Sequence, residues 1–155
     1  MTAVLVTHDQ EEAFSVADRV AVMREGSLLQ VGTPEAIYYR PESLAVARFI
    51  GDGQLLELEL LDSPSNGGEV RERVASRALA VVHPEFLQIA ETGALEAKQA
   101  WTGTLAKRRF YGHDRIEEVR LDSGHTVKVR LTGEEPLPIG SRVTVRLRRA
   151  PTRVF

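Results

Sequence analysis

The chain has 155 residues, 43% hydrophobic and 27% charged, which allows one domain or two small ones of ordinary globular composition. Its longest apolar runs fall far short of the roughly 20 residues that span a bilayer, and the lack of cysteine excludes disulfides and thiolate metal sites and fits a cytoplasmic setting. The net charge of −2 hides an asymmetry, with twelve Lys/Arg against six Asp/Glu in residues 101–155 and eight against sixteen before them; a basic end can attract an anion or nucleic acid, but Arg-rich exposed strand faces are the better account.

The start, Met1-Thr2-Ala3-Val4-Leu5-Val6, has no basic n-region and no long apolar stretch, and does not read as a signal peptide. Ala3 to Thr7 reads as a short buried strand. Asp9 is placed to cap a helix that runs to about Ala17, with Glu12 placed to reach back to the cap. That helix is expected to bury Ala13, Phe14, Val16 and Ala17. Arg19 to Met23 and Ser27 to Val31 read as a hairpin about Glu25-Gly26. Thr33-Pro34 opens a helix that Arg40-Pro41 breaks. A further helix, Glu42 to Ile50, ends at Gly51.

Beyond Gly51-Asp52-Gly53 the pattern becomes mostly period two. Leu56, Leu58 and Leu60 alternate with glutamates, and residues 62–68 form a loop. Ala78 to Val82, Thr102 to Arg109 and Arg115 to Leu121 read as strands, with a tight turn at Asp122-Ser123-Gly124. Val127, Val129 and Leu131 form one alternating set, and Val143, Val145 and Leu147 another. Short strands at this spacing predict a small barrel or sandwich. The domain boundary falls near residue 52.

The segment with chemical content is Val6-Thr7-His8-Asp9-Gln10-Glu11-Glu12-Ala13. It sets a histidine at the end of a strand and before a helix, where open α/β sheets bind ligands. A histidine there can donate to a phosphate oxygen or position an attacking water, although a lone histidine in that place also serves as a surface or capping residue. The segment resembles the switch-histidine motif of ABC-transporter ATPases. Asp18-Arg19-Val20-Ala21-Val22-Met23, Gly26, Gln30-Val31-Gly32-Thr33-Pro34, Tyr38, Pro41 and Phe49-Ile50-Gly51 continue the resemblance in order. They are similar to the end of the nucleotide-binding domain in importers of the maltose, spermidine, sulfate and ferric-iron type. Val82-His83-Pro84-Glu85 resembles the Val-Arg-Pro-Glu signature of their regulatory domain, with His83 in place of Arg. Tyr111-Gly112 and Leu121-Asp122-Ser123-Gly124 resemble the core of its transport-associated OB-like (TOBE) module.

The resemblance implies a mixed α and β fold. Residues 1–52 would be the carboxy-terminal remnant of an α/β nucleotide-binding domain, and residues 53–155 a mostly β OB-like TOBE barrel with a regulatory role. It implies that His8 contacts the γ-phosphate and the attacking water as a catalytic residue of the full-length parent. ATP and Mg²⁺ are that parent's cofactors. Membrane permease subunits are its partners and the inner face of the cell membrane is its place, and the present chain is itself expected to form a homodimer. In some members the TOBE module also binds a small transported anion. Phe49 to Gly53 and the Tyr-Gly-His segment lean towards the ferric-iron or small-anion branch.

The phosphate loop Gly-x-x-x-x-Gly-Lys-Ser/Thr, the Leu-Ser-Gly-Gly-Gln signature and a strand ending in the magnesium-binding Asp and catalytic Glu do not occur in this sequence. The chain is therefore expected to be a fragment that neither binds ATP well nor hydrolyses it, with no cofactor or metal of its own.

Other candidates are weaker. His113, Asp114, Glu117 and Glu118 cannot all converge on a metal, because Glu117 and Glu118 face opposite sides of a strand; they read as a solvated turn and strand edge. His83 and His125 read as surface residues, Phe110 and Tyr111 as core and turn, and Trp101 as packing. Lys107-Arg108-Arg109-Phe110-Tyr111 mixes basic and aromatic residues as nucleic-acid binders do, but without a second aromatic strand. A stand-alone OB-like module that binds an oxyanion or single-stranded nucleic acid is the competing reading, and it leaves residues 1–51 unexplained.

Overall fold

Asp9 starts the first helix, α1 (Gln10–Val16). Its Oδ1 accepts from the backbone N–H groups of Glu11 and Glu12 at 2.9 and 3.1 Å, which satisfies donors that a helix start leaves open. The Glu12 side chain is not needed to close the cap, because the Asp9 N–H donates to Thr7 Oγ1 at 3.0 Å. The structure, a computed structural model, describes residues 2–51, 53–57, 79–91, 100–133, 135–151 and 153–155. It divides into two units, Met1–Gly53 with Phe155 and Gln54–Val154. The expected alternation at Leu58 and Leu60, the loop at 62–68 and Ala78 lie outside the described residues.

In the first unit, β1 (Val20–Arg24) and β2 (Ser27–Gly32) form a two-stranded antiparallel hairpin. Its turn residues Glu25 and Gly26 both have positive φ, 52° and 78°, the geometry whose twist matches flanking strands. α2 (Pro34–Tyr39) is capped by the Thr33 hydroxyl, which accepts from Ala36 N–H at 3.2 Å. α3 (Leu44–Phe49) is capped by Ser43, two residues later than the sequence suggests. Val22, Ile37, Val46 and Ile50 form the core, with Phe14, Val20, Leu29 and Tyr38 packed against it. Two glutamines brace this core. Gln30 is buried and spans the loop, donating to Arg40 O and accepting from Glu42 N–H at 3.1 and 2.9 Å. Gln10 does the same at the end of α3, donating to Phe49 O and accepting from Gly51 N–H at 2.6 and 2.7 Å. Gly51 has φ +64°, and a Cβ there would meet the Tyr38 ring at 3.0 Å.

Two expectations fail in this unit. Residues 3–7 are not a strand, and Val4 and Val6 are about nine-tenths exposed. Among the described residues the hairpin pairs only with itself, and no strand there supplies the segment with a ladder. None of the four residues that α1 was expected to bury is buried: Ala13, Phe14 and Ala17 are half-buried and Val16 is exposed, because only the Phe14 side of the helix meets the core.

The second unit is built on a five-stranded antiparallel sheet. In chain order its strands are β5 (Leu87–Glu91), β6 (Ala100–Phe110), β7 (Asp114–Leu121), β8 (Thr126–Thr132) and β9 (Arg142–Leu147). In space the order is β5-β9-β6-β7-β8. The edge strands β5 and β8 approach one another, so the sheet curls into an open barrel around Trp101, Leu105, Val119, Val127, Val129, Val143 and Val145, all buried. A smaller sheet orders β10 (Arg153–Val154), β4 (Leu79–Val82) and β3 (Gln54–Glu57). From β3 the Gln54 amide reaches the β8 backbone. It donates to Lys128 O and accepts from Lys128 N–H, both at 2.8 Å, and so stands in for a strand partner at an edge that would otherwise be open. Gly103 marks the closest approach of β6 to β7, where a Cβ would lie 2.5 Å from Arg120 O. Trp101 is packed, as the sequence implies. Phe110 is not core but 73% exposed, because the β6–β7 hairpin runs past the barrel wall.

Candidate functional site

His8 sits between the extended amino-terminal segment and the cap of α1, and its side chain is exposed. Its immediate neighbours serve the cap, Thr7 and Asp9 both holding backbone donors. Among the described residues, no three His, Cys, Asp or Glu side chains gather to hold a metal ion. Neither a phosphate cradle nor a metal cage is assembled around His8 by these residues.

The densest polar arrangement lies at one end of the barrel. Arg115, Glu117, Val119 and Leu121 share one face of β7, and all are buried. Glu117 Oε1 accepts from Arg108 Nε of β6 at 2.7 Å and from Arg115 Nε at 2.9 Å. The carboxylate is 2% exposed, Arg115 8% and Arg108 24%. Arg108 also donates from NH2 to Leu137 O, which pins the β8–β9 loop over the barrel end. The loop is further held where Leu105 N–H donates to Ser141 O and Gly140 N–H to Leu105 O, at 3.0 and 2.8 Å. Beside it is a small pocket, open to solvent, with an apolar wall of Ile89, Leu105, Leu131 and Leu137 and polar residues Arg115, Glu117 and Glu135. Two guanidinium groups on one buried carboxylate oxygen make a charge-assisted cluster that locks two strands and a loop.

This corrects the expectation of a solvated turn and strand edge at Asp114 and Glu117. Both are buried, Asp114 at 8% and Glu117 at 1%. Arg130 lies beside Asp114 at 3.4 Å. Glu118 does face the opposite side of β7, where Arg109 stands 3.5 Å away. His113 is exposed, 3.9 Å from Asp114. Arg115 and Glu117 are in phase along β7 with the apolar Val119 and Leu121, and the structure buries all four. His83 is likewise buried, at 1%, not a surface residue. Its ring stands edge-on to Phe86, with centroids 5.2 Å apart, and Arg149 lies over the same Phe86 ring. His125 is exposed, beside Ser123.

A second ionic pair is on the surface. Arg142 donates from both terminal nitrogens to the Asp122 carboxylate, at 2.7 and 2.6 Å, and the Thr102 hydroxyl donates to Asp122 Oδ2 at 2.6 Å. The Arg142 guanidinium, with help from Thr102, holds Asp122 well below its ordinary value of 3.8. A carboxyl whose folded pKa is depressed stabilises the fold fully above its unfolded pKa, and that contribution is lost as the pH falls through the folded value. Asp122→Asn is therefore expected to lose less stability than the parent chain between about pH 4 and stronger acid. Thermal melts of both proteins across that range check this, and parallel curves would remove Asp122 from the acid response. Because both partners are half exposed, added salt should shrink the difference.

The family model described as the TOBE domain matches residues 80–155. The Fe(3+) ions import ATP-binding protein FbpC 2 of Rhodococcus jostii is 36% identical over 157 residues, covering 95% of this chain and 44% of that protein. The spermidine/putrescine import ATP-binding protein PotA of Methylococcus capsulatus is 35% identical over 164 residues, with 94% and 42% covered. The sulfate/thiosulfate import ATP-binding protein CysA of Nocardia farcinica is 38% identical over 149 residues, with 89% and 44% covered. The chain thus spans less than half the length of these curated relatives. A solved structure of the cytoplasmic molybdate-binding protein ModG is matched with TM-score 0.40 and 18% identity, over 45% of this chain and 55% of that one; so distant a likeness carries no argument about binding. With its first half collinear with import ATP-binding proteins and its second half matched by the TOBE model, this chain belongs to the family of ABC-importer ATP-binding subunits.

Proposed function

We propose that this chain is the carboxy-terminal regulatory portion of a subunit that couples ATP hydrolysis to uptake through a membrane permease. Residues 1–52 are the tail of the nucleotide-binding domain and residues 53–155 the TOBE-type regulatory domain. The observation that carries this is the alignment of 95% of the chain with an import ATP-binding protein. ATP and Mg²⁺ are held by parts of the whole protein that lie outside this sequence, and His8 serves as the switch histidine there. The subunit works as a homodimer at the cytoplasmic face of the membrane, reached through the permease. Among the described residues no helix is long and apolar enough to cross a bilayer. Val4, Val6, Met23 and Leu28 are exposed apolar side chains that a second copy could cover. The relatives are named for iron, polyamine and sulfate import at nearly equal identity. The transported substrate is thus chosen by the permease and its binding protein, and a small anion at the TOBE domain would act as a feedback signal.

The test is an uptake assay with the whole protein, intact and truncated after Gly53, together with an ATPase assay on the isolated chain. The expected result is loss of normal uptake on truncation and no metal-dependent hydrolysis by the isolated chain. Unchanged uptake, with tight and salt-dependent binding of single-stranded oligonucleotides by the chain, would overturn the transport reading in favour of a nucleic-acid module.

A further inference from the structure

Residues 3–7 have the composition of a strand and the surroundings of none. Ala3-Val4-Leu5-Val6 is continuously apolar, the pattern of a strand covered on both faces. Yet Val4, Leu5 and Val6 are 89%, 55% and 92% exposed, and among the described residues no backbone hydrogen bond reaches Thr2 to Val6. The root of the segment is fixed, because Asp9 caps α1 and the Gln10 amide ties the start of that helix to Phe49 O and Gly51 N–H. The β1–β2 hairpin has the reciprocal need. Its inner face carries Val22 to the core. Its outer face sets Met23 opposite Leu28 and Ala21 opposite Val31, all four exposed. Among the described residues neither outer edge of the hairpin is paired. β2 packs against α2 and α3, whereas no helix packs on β1 to that extent, so β1 offers the open edge. We propose that residues 3–7 of one copy pair with the outer edge of β1 in a second copy, and that the exchange is reciprocal and gives a two-fold dimer. This rests on the homodimer reading above and names the contact that makes it.

The two surfaces match in chemistry. Residues 2–7 and residues 20–23 of β1 carry no charge, so pairing them buries none. A segment apolar on both faces meets a hairpin apolar on both faces. The added strand takes its ladder from the open N–H and C=O groups of β1, as strand addition at a sheet edge does. The exposed apolar side chains of segment and hairpin, counted over two copies, amount to on the order of 1,000 Å², the area at which specific interfaces begin. Reciprocal exchange uses one segment and one edge from each copy, so the assembly closes at two chains and does not grow.

Size exclusion with light scattering over a wide range of concentration, combined with amide hydrogen exchange, tests this on the chain and on the double variant Val4→Pro/Leu5→Pro. The parent chain is expected to reach the mass of two chains, with the amides of residues 3–7 protected in the dimer and exchanging freely in the diluted monomer. Proline removes ladder donors but stays apolar, so a merely hydrophobic contact would survive the change. The variant is expected to raise the dissociation constant at least about tenfold, the equivalent of one lost ladder hydrogen bond. Both positions are exposed and without a ladder in the structure, so the variant keeps its fold, which an unchanged circular-dichroism melt at low concentration verifies. A parent chain that is monomeric at every concentration overturns the inference and the homodimer reading together, even if residues 3–7 are protected, since the segment then closes on its own hairpin. A dimer whose residues 3–7 exchange freely, or one indifferent to the two prolines, leaves the homodimer reading standing and overturns the strand exchange.

Discussion

Glu117→Ala is expected to destabilise the barrel unit by about 3–5 kcal/mol, the usual cost of removing one partner from a buried ion pair. The reason is the loss of buried, charge-assisted contacts. Arg115 is 8% exposed and loses the carboxylate oxygen that accepts from its Nε at 2.9 Å. Arg108, at 24% exposure, can recover some hydration, so its share is smaller. The loop is affected as well, since Arg108 places its second donor on Leu137 O. For a chain of this size the change corresponds to a fall in melting temperature of about 10 °C or more. Circular-dichroism melts of the parent chain and the variant measure it directly. A shift under about 2 °C would mean that the arginines find water or new partners, and that the cluster contributes little to stability. The same experiment with Arg109→Ala is the control. Its partner Glu118 is on the outer face of β7 and the arginine is half exposed, so the expected loss is within about 1 kcal/mol.

If the whole protein is the transport ATPase proposed above and His8 its switch histidine, His8→Ala is expected to reduce ATP hydrolysis by about 10²–10³-fold, the range typical of losing one contact that counts mainly in the transition state. Nucleotide affinity should stay close to that of the parent, because such a contact adds little to ground-state binding. The substitution is clean in structural terms. His8 is exposed and its neighbours Thr7 and Asp9 are engaged by the α1 cap, so the imidazole can be replaced without disturbing the helix start. Single-turnover hydrolysis and nucleotide titration on the same preparations decide the matter. Near-normal turnover would remove His8 from the mechanism, and a parallel loss of nucleotide binding would make it a binding residue instead.

Local features were legible in the sequence because they depend on residues three or four positions apart. Asp9, Thr33 and Pro34 mark helix starts by their own side chains, Glu25-Gly26 and Ser123-Gly124 mark turns by the backbone angles they accept, and period-two runs mark β7, β8 and β9. The family was legible for a related reason, since the His8 segment and the stretches after it keep their order along the chain. The tertiary structure alone decided which alternating face is covered. Parity assigns Glu117 and Glu118 to opposite sides of β7, but the sequence does not say which side the curled sheet encloses. That depends on β6 lying between β9 and β7 and on the approach of β5 to β8. The structure also buries His83, which the sequence placed on the surface, and exposes Phe110, which it placed in the core. Residues 3–7 failed as a strand on the same principle: an apolar run has the propensity to extend, but a strand exists only where another backbone offers it hydrogen bonds.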